Sequence, residues 1–271
     1  MLTTKEVISN YVNLGVTKTK NSTVNLLLLS VVAGFFIALA GVAANTGTAG
    51  VENPSIAKVI SAAIFPVGLG MVLCVTSELF TGDCLMFLSL FSKKITIAQL
   101  IRTLVIVYIG NLIGSIIIAW AVNYSGQIGA FNGSLAAYSI KIAVAKVKLD
   151  FGKAVVLGIL CNFLVCIGVL MGQSATSLPG KLMGGFVPVF AFVAAGYEHS
   201  VANMYYIPAG LFAIQNPKYL ELAQKTGIDV SNLNVSGFIH NLIPVTIGNI
   251  IGGVVFVAMI YYVIFLSNQE K

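Results

Sequence analysis

A chain of 271 residues with 58% hydrophobic and only 9% charged side chains is no water-soluble domain, which would carry about 25% charged residues. Its formal net charge of +6 comes from lysines near the ends of apolar runs and in loops, with no arginine-rich arm, so nucleic acid is excluded as a partner. A mean hydropathy of +0.95 makes the chain a polytopic protein of the lipid bilayer, and the excess of base suits an anionic substrate.

Residues 1–23 are polar and mildly basic (Lys5, Lys18, Lys20), and the first apolar run begins only at Val24. That is late for a secretory signal, so 1–23 is expected to be a cytoplasmic N-terminal segment. A spanning helix needs roughly 20 apolar residues. The first span is predicted from Val24 to Ala44, and the second starts near Ile56 and passes Pro66 to Val75. There it meets a polar island, Thr76 to Asp83, before Cys84–Phe91 resume apolar character. The third span is Ile97 to Val122. In the connection 123–150, Tyr138, Lys141, Ala145 and Lys148 fall opposite Ile140, Val144 and Val147, which predicts an amphipathic helix against the membrane or the bundle. The fourth span is Phe151 to Met171, and the fifth, Lys181 to Ile214, is too long for one helix and is interrupted at Glu198-His199-Ser200. A second connection leads to the sixth span, Gly237 to Leu266, and a tail, 267–271.

Six spans place both termini on one side. Lysine and arginine are nearly even on the two sides, and the short loops favour termini in the cytoplasm, with the chain in the inner (plasma) membrane. Cys74, Cys84, Cys161 and Cys166 form no Cys-x-x-Cys and read as small buried hydrophobes.

An internal repeat organises the spans. Gly110-Asn111-Leu112-Ile113-Gly114 in the third matches Gly248-Asn249-Ile250-Ile251-Gly252 in the sixth, 138 residues on. Pro66 followed by Glu78 in the second matches Pro188 followed by Glu198 in the fifth, with the glutamates 120 apart. Residues 24–122 and 151–266 therefore read as two copies of one unit: intact helix, broken helix, Gly-Asn helix. With three spans per copy the second is inverted, and paired broken helices in inverted repeats point to a site at the bilayer midplane. The small residues allow close helix packing, and Asn111 and Asn249 are expected to bond across helices. Irregular backbone at membrane depth survives only when buried in protein or lining a cavity, and half-helix N-termini favour anions. Thr81-Gly82-Asp83 and Ser200 are the expected starts of those half-helices, with hydroxyl or carboxylate caps.

Glu198-His199 is the costliest pair in the apolar sequence and hence a candidate site. His199 is either a satisfied core histidine or a group that donates to, or exchanges a proton with, an anion. Glu198 either orients His199 or pairs with a helix end, and Thr81 either caps a half-helix or faces the pathway.

The two broken helices, the Leu79-Phe80-Thr81 loop, the run Glu198-His199-Ser200-Val201-Ala202-Asn203-Met204 and Gly248-Asn249-Ile250-Ile251-Gly252-Gly253 together resemble the formate/nitrite transporter family, over about Val24 to Leu266. The branch looks like the bacterial hydrosulfide channels. The resemblance implies an all-α, aquaporin-like bundle of six transmembrane helices, assembled as a homopentamer with one pore per protomer, for small monovalent anions such as formate, nitrite and hydrosulfide. It assigns the central histidine to His199 and its threonine partner to Thr81. It places apolar constrictions at Phe65 and Phe192 on one side and Leu69 and Leu79 on the other. Pore asparagines fall on Asn162 and Asn249, and the vestibule base on Lys146, with Lys148 its rival. Gly82-Asp83 departs from the common family form. No cofactor and no metal are called for.

Other classes fit less well. A water or glycerol channel needs Asn-Pro-Ala turns at its half-helix breaks, but Asn53-Pro54 and Asn216-Pro217 sit in connections. A membrane enzyme would show His-Glu-x-x-His or a Gly-x-Ser-x-Gly elbow, and neither occurs.

Overall fold

The computed structural model describes residues 1–267; residues 268–271, the rest of the expected tail, lie outside the described residues. Among the described residues, six helices are long and apolar enough to cross a membrane. In chain order the helices are α1 (Thr4–Lys20), α2 (Thr23–Thr48), α3 (Pro54–Cys74), α4 (Phe80–Phe91), α5 (Ile97–Tyr124), α6 (Ser134–Val147), α7 (Phe151–Ser174), α8 (Leu178–Ala195), α9 (Ser200–Ala213), α10 (Pro217–Lys225) and α11 (Val235–Phe265). The second and fifth crossings are the broken ones: α3 and α4 are separated by residues 75–79, α8 and α9 by residues 196–199. α3 also kinks at Phe65-Pro66, where proline removes a backbone donor.

Local chemistry sets the helix starts. Thr3 and Glu6 form a capping box on α1, and Thr96 and Gln99 form another on α5. Asp150 caps α7 and Ser177 caps α8. The two Asn-Pro pairs are caps as well: Asn53 and Asn216 each accept backbone N–H groups, with proline in the first turn of α3 and α10.

The polar stretch 1–23 is not a featureless segment. α1 is amphipathic and buries Val7, Ile8, Tyr11 and Val12 in the main core, which ties it to the bundle. α6 buries Ile140, Val144 and Val147 and packs on α9 through Ile207, while Lys141 and Lys148 stay exposed.

The repeat is visible in the backbone. α2 lies along α5 and α7 along α11, and these pairs approach so closely that a Cβ at Gly114 would strike the Val31 carbonyl, as one at Gly252 would strike that of Ile159. At each break an asparagine closes the gap. Asn111 donates through Nδ2 to the carbonyls of Ser30 (2.8 Å) and Glu78 (2.9 Å), and its Oδ1 accepts from the Phe80 N–H at 2.9 Å. Asn249 does the same with Gly158, Glu198 and Ser200, each at 2.9 Å. The Glu78 N–H donates to the Leu29 carbonyl and that of Glu198 to Leu157, both at 3.3 Å. Leu29 and Leu157 are 128 residues apart, as are Lys18 at the end of α1 and Lys146 at the end of α6. The correspondence therefore reaches from α2 back through α1, with α6 as its counterpart.

These brackets replace the expected caps. The N-cap positions of α4 and α9 are Leu79 and His199 rather than a Thr81-Gly82-Asp83 or Ser200 side chain. No side chain caps α4 directly, because the asparagine of the neighbouring helix already holds its first N–H.

Each bracket makes three bonds to backbone groups that have no water to turn to. Asn111→Leu or Asn249→Leu is expected to cost about 3 kcal/mol or more, taking roughly 1 kcal/mol per bond. Thermal unfolding of the detergent-solubilised protein checks this, and an unchanged midpoint in both variants would contradict the bracket role.

Candidate functional site

The breaks bring His199 and Thr81 together from opposite copies of the repeat. His199 is the N-cap of α9, and its Nδ1 accepts the Ala202 N–H at 3.0 Å. With Nδ1 occupied as an acceptor, the single proton of the neutral ring sits on Nε2, which lies 2.9 Å from Thr81 Oγ1. His199 thus donates to the threonine oxygen and leaves the threonine O–H free to donate onward. At the repeat offset of 120, the counterpart of His199 is Leu79 and that of Thr81 is Val201. The polar pair is asymmetric: one member comes from each copy, and the equivalent position in the other copy is apolar.

The ring looks onto a void of about 10 Å³ lined by His199, Phe65, Leu69, Leu79 and Phe192, with Ile37, Val165 and Val189 completing the wall. That is about the space of one water molecule. Phe192 stacks on His199 with centroids 6.0 Å apart, and Phe65 meets Phe192 edge-on at 6.2 Å. The four apolar residues assigned to two constrictions therefore surround one narrow waist, with the histidine in its wall.

Asn162 and Asn249 do not line the void. Both are fully buried, Asn249 in its bracket and Asn162 donating to the Asn249 carbonyl at 2.7 Å. Their amides hold the break in place from behind.

Charge stands on either side of the waist. On the α6 side Lys146 Nζ bonds both Glu198 carboxylate oxygens, at 3.0 and 3.1 Å, and Asn203 Nδ2 donates to Glu198 Oε2 at 2.6 Å. Lys146 also lies 5.5 Å from the centroid of the Tyr206 ring. Glu198 does not touch His199 through its carboxylate; it pairs with the lysine at the end of α6. On the α1 side a vestibule of about 210 Å³ reaches Leu79 and is lined by Lys18, Glu78, Asp83 and Lys181 among others. Lys18 Nζ bonds Glu78 Oε2, and bonds Asp83 Oδ1 at 2.6 Å.

The two rival lysines separate clearly. Lys146 sits in the part-buried cluster with Glu198 and Asn203, whereas Lys148 points to the surface and pairs with Asp229 at 2.9 Å. The Lys148 ammonium, helped by the Ser231 N–H, holds the Asp229 carboxyl down at about 2. His240 is exposed near the start of α11.

Asp83 and Asn203 lie within stretches the sequence singles out, at the first break and in the run after His199, but Lys18 is marked by no motif. The available signal is the 128-residue offset between Lys18 and Lys146, which emerges only when the repeat is extended upstream of Val24.

The formate/nitrite transporter family model matches residues 5–263. The formate channel FocA of Escherichia coli strain K12 is 38% identical, over 94% of this chain and 92% of its own length. A solved pentameric formate channel with formate bound is 34% identical, with TM-score 0.80 over 90% of this chain and 98% of that one. A solved FNT family ion channel, 26% identical, superposes with TM-score 0.83 over 96% of this chain and 98% of that one. Six apolar crossings, two bracketed breaks and these matches lead to one conclusion: the chain is an integral membrane transport protein, not an enzyme, and belongs to the formate/nitrite transporter family.

Proposed function

We propose that the chain conducts small monovalent anions, formate first and nitrite and hydrosulfide by the same chemistry, through a pore in each protomer of a homopentamer. Both termini face the cytoplasm, and the protein sits in the inner (plasma) membrane. The names of the relatives favour formate and a pentamer. A large apolar groove beside α1, lined by Ile8, Leu170, Met183, Val187 and Tyr261, suits a face covered by a neighbouring protomer.

The observation that carries the reading is His199 in the wall of an otherwise apolar waist, its ring hydrogen-bonded to the buried Thr81 behind that wall. A bare anion loses its hydration there against phenylalanine and leucine, at a cost of several kcal/mol. A neutral weak acid does not. The hydrogen-bonded pair offers one donor to an oxygen or sulfur at the narrowest point. Lys146, paired with Glu198, and Lys18, paired with Glu78 and Asp83, stand at the two mouths. Asn111, Asn162 and Asn249 position the breaks, and gating rests with the Leu79–Thr81 loop.

Formate flux into proteoliposomes is therefore expected to rise as external pH falls toward the substrate pKa, by about tenfold per unit while the anion dominates. A flat profile would contradict passage as the acid. His199→Asn is expected to change selectivity among formate, nitrite and hydrosulfide, or the pH response, while the pentamer stays intact by size-exclusion chromatography. An unchanged flux-against-pH curve in that variant would remove His199 from the pathway.

A further inference from the structure

The two breaks carry the same cluster with one difference. Each has a lysine from its amphipathic helix, a glutamate at the break and a polar residue five positions later: Lys146, Glu198 and Asn203 on one side, Lys18, Glu78 and Asp83 on the other. Asp83 occupies the Asn203 position, since 203 − 83 and 198 − 78 both equal 120. The α6 cluster balances one positive charge against one negative. The α1 cluster sets one lysine against two carboxylates, with side chains only 11%, 6% and 2% exposed for Lys18, Glu78 and Asp83.

The hydrogen bonds make the same point. Asn203 donates an N–H to its glutamate, and an ionised Asp83 has no hydrogen with which to do so. Asp83 Oδ2 is buried and has no hydrogen-bond partner among the described residues. Both carboxylates bond one ammonium nitrogen, so their bonded oxygens lie within about 5 Å, close enough for like charges to compete for a proton. The vestibule of about 210 Å³ that Glu78 and Asp83 line gives water access to them.

We propose that the Glu78–Asp83 pair is a proton-binding site that holds one proton near neutral pH, a site that the opposite vestibule lacks. With the proton bound, the cluster is neutral and Asp83 reproduces the donor role of Asn203. Without it, a net negative charge stands between the vestibule and Leu79. On the reading of the chain as an anion pathway, the site makes approach from the α1 side depend on the pH of that side.

The groups facing Asp83 leave Lys18 as its bonded cation. From α1, Tyr11 donates to the Gly82 carbonyl at 3.0 Å. From α7, Cys166 contacts the Thr81 carbonyl at 3.5 Å, and Cys84 follows Asp83 on its own helix. His199 at the start of α9 reaches the segment only through Thr81, Tyr108 of α5 packs on Phe80, and Lys181 at the start of α8 lines the same vestibule.

Infrared spectroscopy of the full-length protein in lipid nanodiscs at neutral pH tests the site without any transport. The wild type is expected to show the carbonyl stretch of a protonated carboxylic acid. The band is lost in Asp83→Asn and in Glu78→Gln, kept in Glu198→Gln, and joined by a second in Asn203→Asp. No such band in the wild type, or one that survives both Asp83→Asn and Glu78→Gln, would overturn the proposal. Because either variant alone can show that loss, poor folding of one leaves the other to decide. Formate flux through the same protein reconstituted in closed proteoliposomes separates the two readings: the band without flux overturns the anion pathway, and flux without the band overturns the proton site.

Discussion

Breaking a helix inside a bilayer frees backbone N–H and C=O groups that lipid cannot satisfy, each at a cost of several kcal/mol. Everything distinctive here depends on how that cost is met. Asn111 and Asn249 reach across from α5 and α11 and bond the first N–H of α4 and α9, the carbonyl of the glutamate at the break, and a carbonyl of α2 or α7. The glycines one position before and three after each asparagine let the helices close enough for a side chain this short to span the gap. With the brackets in place, Leu79 and His199 are held in extended backbone, and both line the waist.

The fold therefore produces symmetry and the side chains break it. Equivalent backbone positions carry Leu79 and His199, Thr81 and Val201, Asp83 and Asn203. The first two exchanges concentrate the polarity of the waist in one hydrogen-bonded pair and leave the remaining wall apolar, which suits a neutral species better than an ion. The third leaves the clusters at the two mouths with different charge. A symmetric scaffold with asymmetric chemistry gives a pathway whose two approaches need not respond alike to pH.

Much of this is legible in the sequence. Glutamates amid apolar runs stand out because lipid tolerates them so poorly, and they mark both breaks; the Gly-Asn motifs mark the helices that bracket them. α1 is not legible in the same way. Its apolar residues Val7, Ile8, Tyr11 and Val12 are diluted by lysines and asparagines, so a search for apolar spans begins the repeat at Val24 and leaves Lys18 outside it. The offsets of 128, 120 and 138 residues also differ from element to element, which hides the register that pairs Lys18 with Lys146 and Asp83 with Asn203. The half-helix caps escape for another reason. Rules for hydroxyl and carboxylate caps are local, whereas the first N–H of each half-helix is held from a helix 31 or 49 residues further along the chain, and the local side-chain cap on α9 is the imidazole of His199.

The central claim is that the apolar waist passes a weak acid in its neutral form, with the His199–Thr81 pair supplying the one donor. The charge carried per formate tests it most directly. Flux and current are measured together in vesicles under a clamped membrane potential. Formate uptake with one proton taken up per molecule, no matching current and no dependence on voltage is the predicted result. A current equal to one negative charge per formate, rising in proportion to voltage, would contradict it.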